Sequence, residues 1–408
     1  MIDAHPATKT FEYVTHLAVE IGARPIGSPA NHAAAGMIAS NFQRLGMMPE
    51  MLRFDAPIWR DINSRVIMDG ETHPIRANTF SPPCEKTAAL LSAGTIEELT
   101  SRTITDKIVL LYGALAKEPL WAKSNPFGLS PAQERLFDVL ERGKPAVILF
   151  TRLAPSAWEP ITDADFEIPS AVVTPELALM LAAHVGTQVT VRIDATRTWG
   201  YSDHVIARQP GKTKNIIIVT AHFDTMIDTP GAWDNASGAG ALIALGDRML
   251  GRYLPAWIEY AALNNEEYYG CGTALSQCYD RYIQQHHDMS SVIAAINLDG
   301  VGQTLGTNTI TVMAHSDALS STLDQTLHSF PAVKRVDPWV ESTHSLYAAR
   351  GVPSFAISST AVTSAMHTPH DTIQWLSPAK LDEAVQLTIR LIEALADKSP
   401  QWTRTGTT

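Results

Sequence analysis

The second half of the chain alternates short, wholly apolar runs with longer segments whose apolar residues recur at helical spacing. The apolar runs have the length and composition of strands buried on both faces of a sheet. These runs are NIIIVTA (215–221), WIEYAAL (257–263), SVIAAINL (291–298) and VPSFAIS (352–358). Helical patterns lie between and after them, at 237–250, 268–287 and 378–397. The alternation predicts an α/β domain with a mainly parallel sheet and helices on both faces.

The first half of the chain has a different texture. Residues 8–47 show two helical patterns around the turn signal RPIGSP, and PEMLRFDA (49–56) reads as a strand. From about 56 to 197, strand-like runs dominate, with helical patterns at 130–143 and 174–186. Since 408 residues exceed what one core usually serves, we expect two domains. One is discontinuous, with residues 1–55 and 198–408, and the other is a smaller β-rich domain inserted at 56–197.

Composition excludes several classes of partner. The net charge is −11 and there is no basic run, which argues against nucleic acid and anionic membranes. No stretch approaches the roughly twenty apolar residues of a membrane span. The N-terminus lacks a signal-peptide pattern, and the three cysteines are too few for a disulfide framework. We therefore expect a cytoplasmic protein, with secretion after trimming and homodimer formation left open.

Acidic and imidazole side chains follow each predicted buried strand of the second half. Strand ends of a parallel sheet meet at one edge, where open α/β sheets bind ligands. The residues are His222 and Asp224, Glu266 and Glu267, Asp299, and His367 with His370 and Asp371; Asp234 lies between the first two groups. One site that all these residues share explains their positions more economically than an unrelated polar residue at the end of each strand.

Residue types at these strand ends suit a pair of divalent cations. Imidazoles and carboxylates are ligands for zinc-like ions, and one carboxylate can bridge two of them. Two such ions can activate water and polarise a carbonyl, and a carboxylate base beside them completes a hydrolytic site. Glu266 is a candidate for that base and Glu267 for a ligand. In a regular strand His222 and Asp224 point to the same face, so Asp224 can orient the imidazole.

Five motifs, in this order and spacing, carry a family resemblance: AHFDT, GAWDNASG, NNEEYYGCG, INLDGVG and MHTPHDT. Together with the opening segment IGARPIGSPANHAAAGMIASNFQRLGM, they resemble the M28 family of zinc aminopeptidases. TDKIVLLYGAL followed by GKPAVILF resembles a protease-associated (PA) domain. The resemblance implies a three-layer α/β/α phosphorylase/hydrolase-like sandwich with a mixed sheet, and a PA-like domain at 56–197.

The resemblance also implies individual roles. His222 and Asp299 would bind one metal ion, Glu267 and His367 the other, and Asp234 would bridge both. Glu266 would be the general base, Asp224 would support His222, and the Asp234–Asn235 peptide would be cis. The expected cofactor is two zinc ions, with cobalt or manganese as alternatives.

Some positions depart from the family pattern. Many relatives carry Ser-Asp-His where this chain has Ser342-Thr343-His344, and a tyrosine where Met366 precedes the last ligand. We expect substrate contacts from Trp233, Tyr268 and His344. His370 is expected outside the metal site, and Asp371 is a candidate for bracing the His367 loop.

The predicted function is a two-metal hydrolase that cleaves an amide bond, with removal of N-terminal residues from peptides as the leading hypothesis. A carboxypeptidase or a small-molecule amidase on the same fold is an alternative, for which Arg350 is a candidate carboxylate-binding residue. A glutaminyl-cyclase-like transferase and a non-catalytic binding protein are further alternatives.

Overall fold

The structure, a computed structural model, describes residues 6–117, 120–121, 123, 129–151, 165–268, 275–360 and 363–404. Contacts group the chain into two units. The first comprises Met1–Asp55, Tyr201–Glu267 and Thr273–Thr408, and the second Ala56–Gly200 with Tyr268–Gly272. The sequence-based expectation placed the boundaries at 55/56 and 197/198.

The first unit is built on a mixed eight-stranded sheet with the order β1-β10-β12-β11-β13-β16-β14-β15. The strands are β1 (Glu50–Asp61), β10 (Ala195–Gln209), β11 (Ile216–His222), β12 (Trp257–Leu263), β13 (Val292–Leu298), β14 (Thr307–Met313), β15 (Lys334–Arg335) and β16 (Ser354–Thr360). Strands β12, β11, β13 and β16 run parallel, whereas β10 and β14 pair antiparallel with β12 and β16. The predicted α/β fold with a mixed sheet is confirmed.

Helices cover both faces of this sheet. Along β11, Ile217 and Val219 enter the larger apolar core, which includes residues of α6 and α10, whereas Ile218 enters a smaller core on the opposite face. Consecutive strand residues point to opposite faces, so an uninterrupted apolar run is what a sheet covered on both sides requires. The arrangement is the expected three-layer sandwich.

The helical patterns of the sequence correspond to α1 (Pro6–Thr15), α2 (Pro29–Arg44), α6 (Ser237–Met249), α7 (Leu275–His286) and α10 (Pro378–Leu395). The first unit also contains α8 (Asp317–Leu327), α9 (His344–Ala348) and α11 (Pro400–Thr403), which the sequence analysis did not predict. A short π-helical turn lies at His16–Ile21, a tight turn with non-helical dihedrals at Asp234 and Asn235 spans Ala232–Ala236, and 3₁₀ turns lie at Met289–Ser291, Thr363–Ala365 and Ile373–Trp375. Ser28 caps α2 by accepting the N–H of Asn31, with Pro29 at the first helical position.

The second unit contains its own eight-stranded sheet, in the order β3-β2-β9-β5-β6-β7-β8-β4. Its elements are β2 (Arg65–Met68), β3 (Glu71–Pro74), β4 (Arg76–Ala77), β5 (Cys84–Ala93), β6 (Ile108–Leu111), β7 (Val147–Phe150), β8 (Ser170–Val172), β9 (Gln188–Ile193), α3 (Ile96–Thr100), α4 (Pro131–Gly143), α5 (Pro175–Ala183) and a 3₁₀ turn at Gly113–Ala116. A separate core forms between α4 and strands β6 and β7. The likeness of this unit to a PA domain stays a prediction.

Within the described parts of the chain, no helix combines the length and the apolar character that a membrane crossing needs. Cys84 is a free, half-buried thiol in β5. The side chains of Cys271 and Cys278 lie outside the described residues.

Candidate metal centre

Five predicted ligands converge at the carboxyl edge of the parallel strands. Each lies at the end of a strand or in the loop that follows, which is where βα connections of a parallel sheet place their side chains. His222 ends β11, Glu267 follows β12, Asp299 follows β13, Asp234 lies in the turn before α6, and His367 lies in the loop after β16. His222, Asp234 and Glu267 are buried, and their ligand atoms lie within 4.8 Å of one another.

Distances divide the ligands into two groups that share Asp234. His222 Nε2 lies 3.2 Å from Asp234 Oδ1 and 3.3 Å from Asp299 Oδ1. His367 Nε2 lies 3.0 Å from Asp234 Oδ2 and 3.0 Å from Glu267 Oε2. Ligand atoms about 2.0–2.1 Å from a tetrahedral zinc ion are roughly 3.3 Å apart. These separations therefore suit ligands of divalent cations, and Asp234 belongs to both groups.

Charge supports the same fit. Five carboxylates (Asp224, Asp234, Glu266, Glu267 and Asp299) surround two imidazoles. Glu267 Oε1 is buried and has no hydrogen-bond partner. A buried group of anions is costly unless positive charge compensates it. Divalent cations are the compensation that this set of donor atoms suits.

Burial and the close approach of these charged groups shift the pKa values of Glu266, Glu267 and His222. Burial raises the pKa of Glu266 well above its ordinary value, with Asp299 and Glu267 adding to the shift and His222 opposing it. Burial also raises the pKa of Glu267, to about 7. Burial alone would lower the pKa of His222, but Asp299 and Glu266 outweigh it and raise that pKa. Burial and the mutual repulsion of the carboxylates thus disfavour their charged forms, and the two imidazoles oppose that effect.

Asp224 holds the loop that carries the glutamate pair. Its Oδ1 and Oδ2 accept the peptide N–H groups of Glu266 and Glu267, each at 3.2 Å. Its Oδ1 lies 3.5 Å from Nδ1 of His222. The sequence predicted only support of the imidazole, whereas the direct hydrogen bonds go to the glutamate loop. The buried Asp224 carboxylate therefore lies beside His222 at the end of β11 and bonds to the backbone of Glu266 and Glu267 after β12.

A chain of side-chain hydrogen bonds orients Asp299. The Thr220 hydroxyl donates to Asn297 Oδ1 at 2.7 Å, and Asn297 Nδ2 donates to the Ser342 hydroxyl at 2.7 Å. Ser342 in turn donates to Asp299 Oδ2 at 2.6 Å. The direction of every bond is set by the Asp299 carboxylate, which can only accept. Ser342 therefore donates its one hydroxyl proton to Asp299 and accepts from the amide NH₂ group, which leaves the amide oxygen to accept from Thr220. Oδ1 of Asp299 is left facing His222.

Asp234 lies in a turn that is tied to the Asp299 loop. The Asp234–Asn235 peptide is cis, as the resemblance implied. Asn235 donates to the Leu298 carbonyl at 2.9 Å and accepts the Gly300 N–H at 3.1 Å. Ser237 Oγ accepts the Val301 N–H at 3.0 Å. These bonds tie the turn that carries Asp234 directly to the loop that carries Asp299.

The three predicted substrate contacts are buried. Trp233 is 6% exposed, Tyr268 2% and His344 0%. The Trp233 indole N–H donates to the Gly300 carbonyl and to Ser359 Oγ. His344 Nε2 bonds to the Trp339 carbonyl at 2.7 Å, and burial lowers the pKa of this imidazole. A substrate contact by any of the three stays a prediction.

His370 is exposed, which agrees with its expected exclusion from the site. Arg350 donates to Asp280 and to the Leu346 carbonyl, so its charge is paired on the surface of α7 and α9. No sequence pattern points to two buried residues that contact the loops of the predicted ligands, Arg24 and Asn31. Their partners are backbone groups and an asparagine about two hundred residues away, which no local pattern reveals.

Comparison with known proteins agrees with this geometry. Residues 204–392 match the model of Peptidase family M28. The probable lipoprotein aminopeptidase LpqL of Mycobacterium tuberculosis is 24% identical over 228 residues, which are 54% of this chain and 44% of that protein. A probable leucine aminopeptidase of Arthroderma otae is 31% identical over 209 residues, covering 46% and 56% of the two chains. The chain thus spans about half the length of these curated relatives.

Solved structures share the fold over nearly the whole chain. BSAP, a zinc aminopeptidase from Bacillus subtilis, superposes with a TM-score of 0.78 at 18% identity, covering 96% of this chain and 95% of that one. A peptidase M28 precursor from Shewanella amazonensis gives 0.73 at 19% identity, covering 96% and 94%. Every residue of the candidate metal centre lies inside the matched segment. The segment 204–392, which carries that centre, is thus the part of the chain that is similar to peptidase family M28.

Proposed function

We propose that this chain is a two-metal aminopeptidase that removes the N-terminal residue of peptides. The observation that carries the proposal is the pair of histidine–carboxylate groups that share Asp234, with Glu266 beside them. Glu266 Oε2 lies 4.0 Å from His222 Nε2, so this carboxylate faces the position between the ligands. Divalent cations bound there supply Lewis acidity, which polarises a carbonyl and lowers the pKa of water.

The side chains of the chain account for the proton transfers of amide hydrolysis. Glu266 takes a proton from the attacking water as the water oxygen bonds to the scissile carbonyl carbon. It then delivers that proton to the departing nitrogen when the C–N bond breaks. Such general acid–base catalysis contributes typically 10²–10⁴-fold. Asp224 fixes the Glu266 backbone through the 3.2 Å hydrogen bond, which keeps the carboxylate in place between the two steps.

Substrate class and metal identity rest on the relatives. The curated relatives are described as aminopeptidases, and the Bacillus subtilis structure as a zinc aminopeptidase. Zinc suits the mixed imidazole and carboxylate ligands, and cobalt or manganese suits them too. A carboxypeptidase would need a free cation near the ligands, whereas Arg350 is paired with Asp280.

The test uses full-length protein treated with chelator and then reloaded with Zn²⁺, Co²⁺ or Mn²⁺. Bound metal is counted by elemental analysis, and cleavage is followed with a panel of aminoacyl-arylamides. We expect two metal ions per chain, activity that returns on reloading, and no cleavage of N-acetylated substrates. Glu266→Gln should keep both metals and lose about 10²–10⁴-fold in kcat.

His367→Gln and His370→Gln form a matched pair, because the second imidazole is exposed three residues from the first. Only His367→Gln should lose metal and activity. Full activity in the presence of chelator, or an undiminished kcat in Glu266→Gln, would overturn the proposal. Cyclisation of N-terminal glutamine without arylamide cleavage would replace it with a transferase function.

A further inference from the structure

Arg24 is a fully buried guanidinium whose described hydrogen bonds all go to backbone carbonyls. Nε donates to Phe223 at 2.8 Å, and Nη2 donates to Gly231 at 3.0 Å. Nη1 donates to Pro230 at 2.7 Å, as well as to Leu17 and Gly22 at 3.0 and 2.8 Å. Burial lowers the pKa of Arg24 to about 10, with Asp371 foremost among the groups that oppose the shift. The side chain is therefore a cation at neutral pH.

Asp371 contacts the same loop with the opposite charge. Its Oδ1 accepts the N–H of Trp233 at 2.9 Å, and its Oδ2 accepts the N–H of Asp234 at 3.0 Å. Its backbone carbonyl accepts the N–H of Ala232 at 3.2 Å. The side chain is fully buried and touches the loop that leads into the bridging ligand. The sequence suggested instead that Asp371 would brace the loop of His367.

Together the two side chains hold residues 230, 231, 233 and 234. The guanidinium donates to the carbonyls of Pro230 and Gly231, and the Asp371 carboxylate accepts the N–H groups of Trp233 and Asp234. The N–H of Ala232 between them bonds to the backbone carbonyl of Asp371. Charged groups form stronger hydrogen bonds than neutral ones, and here each charge faces the matching end of the peptide dipoles. The peptide planes on either side of Ala232 are thereby held in one orientation.

We propose that Arg24 and Asp371 are positioning residues for Asp234, acting through the 230–234 loop to aim its two carboxylate oxygens at both metal ions. This inference rests on the proposed two-metal function. Neither side chain touches a metal ligand atom, so the effect is on where the Asp234 carboxylate lies. Because Asp234 Oδ1 faces one ligand group and Oδ2 the other, a tilt of this loop disturbs both sites at once.

Removing a group that orients a ligand typically weakens metal binding by 10–100-fold. Asp371→Asn preserves shape but replaces one acceptor oxygen with an NH₂ group, which cannot accept a peptide N–H. Arg24→Lys preserves charge but replaces a planar set of five donors with one ammonium group. Each variant should weaken both metal sites, and the double variant should lose less than the product of the single losses.

The measurement is competition of Zn²⁺ with a chromophoric chelator, together with the visible absorption spectrum of the Co²⁺-loaded protein. Ser342→Ala is the contrast, because the Ser342 hydroxyl donates to Asp299, which faces His222 and not His367, so this variant should weaken one site. Arg404→Lys is the matched control, because Arg404 donates to the Met289 and Val292 carbonyls at the opposite end of β13. It should leave both metal affinities within about threefold of the parent, whatever its effect on melting temperature.

Failure of the positioning role and failure of the proposed two-metal function give different results. Fewer than two metal ions in the parent protein would overturn the proposed function and the inference with it. Two metal ions in the parent, with Asp371→Asn and Arg24→Lys within about threefold of its affinities and with an unchanged Co²⁺ spectrum, would overturn the positioning role alone. Should Arg24→Lys fail to fold by circular dichroism, the isosteric Asp371→Asn decides the question by the same criteria.

Discussion

His204 makes folding of the first unit sensitive to acid. Its imidazole lies in β10, 2% exposed, stacked on Phe54 with ring centroids 4.6 Å apart and with the edge of Tyr279 nearby. Nδ1 accepts the Asn264 N–H at 3.1 Å, so the neutral ring is the form that the structure uses. Burial lowers the pKa of His204 to about 3, against an ordinary value of 6.5.

The direction of this pH dependence follows from proton binding by His204 in the folded and unfolded states. Below pH 6.5 the unfolded imidazole binds a proton while the folded imidazole does not, so acid favours unfolding. The contribution of the neutral ring is complete above pH 6.5 and is lost as the pH falls from 6.5 towards about 3. Because pH 5 lies 1.5 units below the ordinary pKa of 6.5, the free energy of unfolding at pH 5 is lower by about 2 kcal/mol. That is a large fraction of a typical free energy of unfolding.

The assay is urea unfolding of metal-free protein at pH 7.5 and pH 5, for the parent and for His204→Asn. Asparagine can place its amide oxygen near the position of Nδ1 and does not titrate. The parent should lose about 2 kcal/mol more than His204→Asn between the two pH values. Phe54→Leu keeps the imidazole and removes the stacked ring, so it should destabilise the protein similarly at both. Equal pH dependence in the parent and His204→Asn would refute the reasoning.

Three further substitutions test the packing around the candidate metal centre. A Cβ on Gly238 would lie 2.1 Å from the Leu298 carbonyl oxygen, whereas one on Gly36 meets nothing within 4 Å. Gly238→Ala should therefore cost about 1–3 kcal/mol in urea unfolding, and Gly36→Ala should stabilise α2 by roughly 0.5–1 kcal/mol; destabilisation by both alike would contradict the contrast. Trp233→Phe removes the indole donor from the Gly300 carbonyl and should cost about 1–2 kcal/mol, seen as a lower melting temperature. Asn31→Ala breaks reciprocal bonds with Asn264 and should cost roughly 2–3 kcal/mol, with an unchanged urea midpoint as the contrary result.

The parallel core of the sheet was predictable from the sequence because burial on both faces leaves an apolar run with no polar interruption. The strands at 216–222, 257–263, 292–298 and 354–360 are confirmed for that reason. Strand β14 was not predicted, since TNTITVM mixes polar and apolar residues, and its antiparallel pairing with β16 depends on a partner far along the chain. The pairing, rather than the local pattern, makes that segment a strand.

By itself, the sequence determined which residues supply imidazole and carboxylate at the strand ends, because those residue types and the βα order are local facts. Only the tertiary structure decided which side chains orient them. Asp224 accepts amides of the glutamate loop, Arg24 donates to the carbonyls of residues 230 and 231, and Asp371 accepts the amides of residues 233 and 234. Backbone N–H and C=O groups are present at almost every position, so the sequence cannot reveal which of them a buried charged side chain will meet. That choice depends on distances across the folded chain, where a buried charge is stable only beside groups that satisfy it.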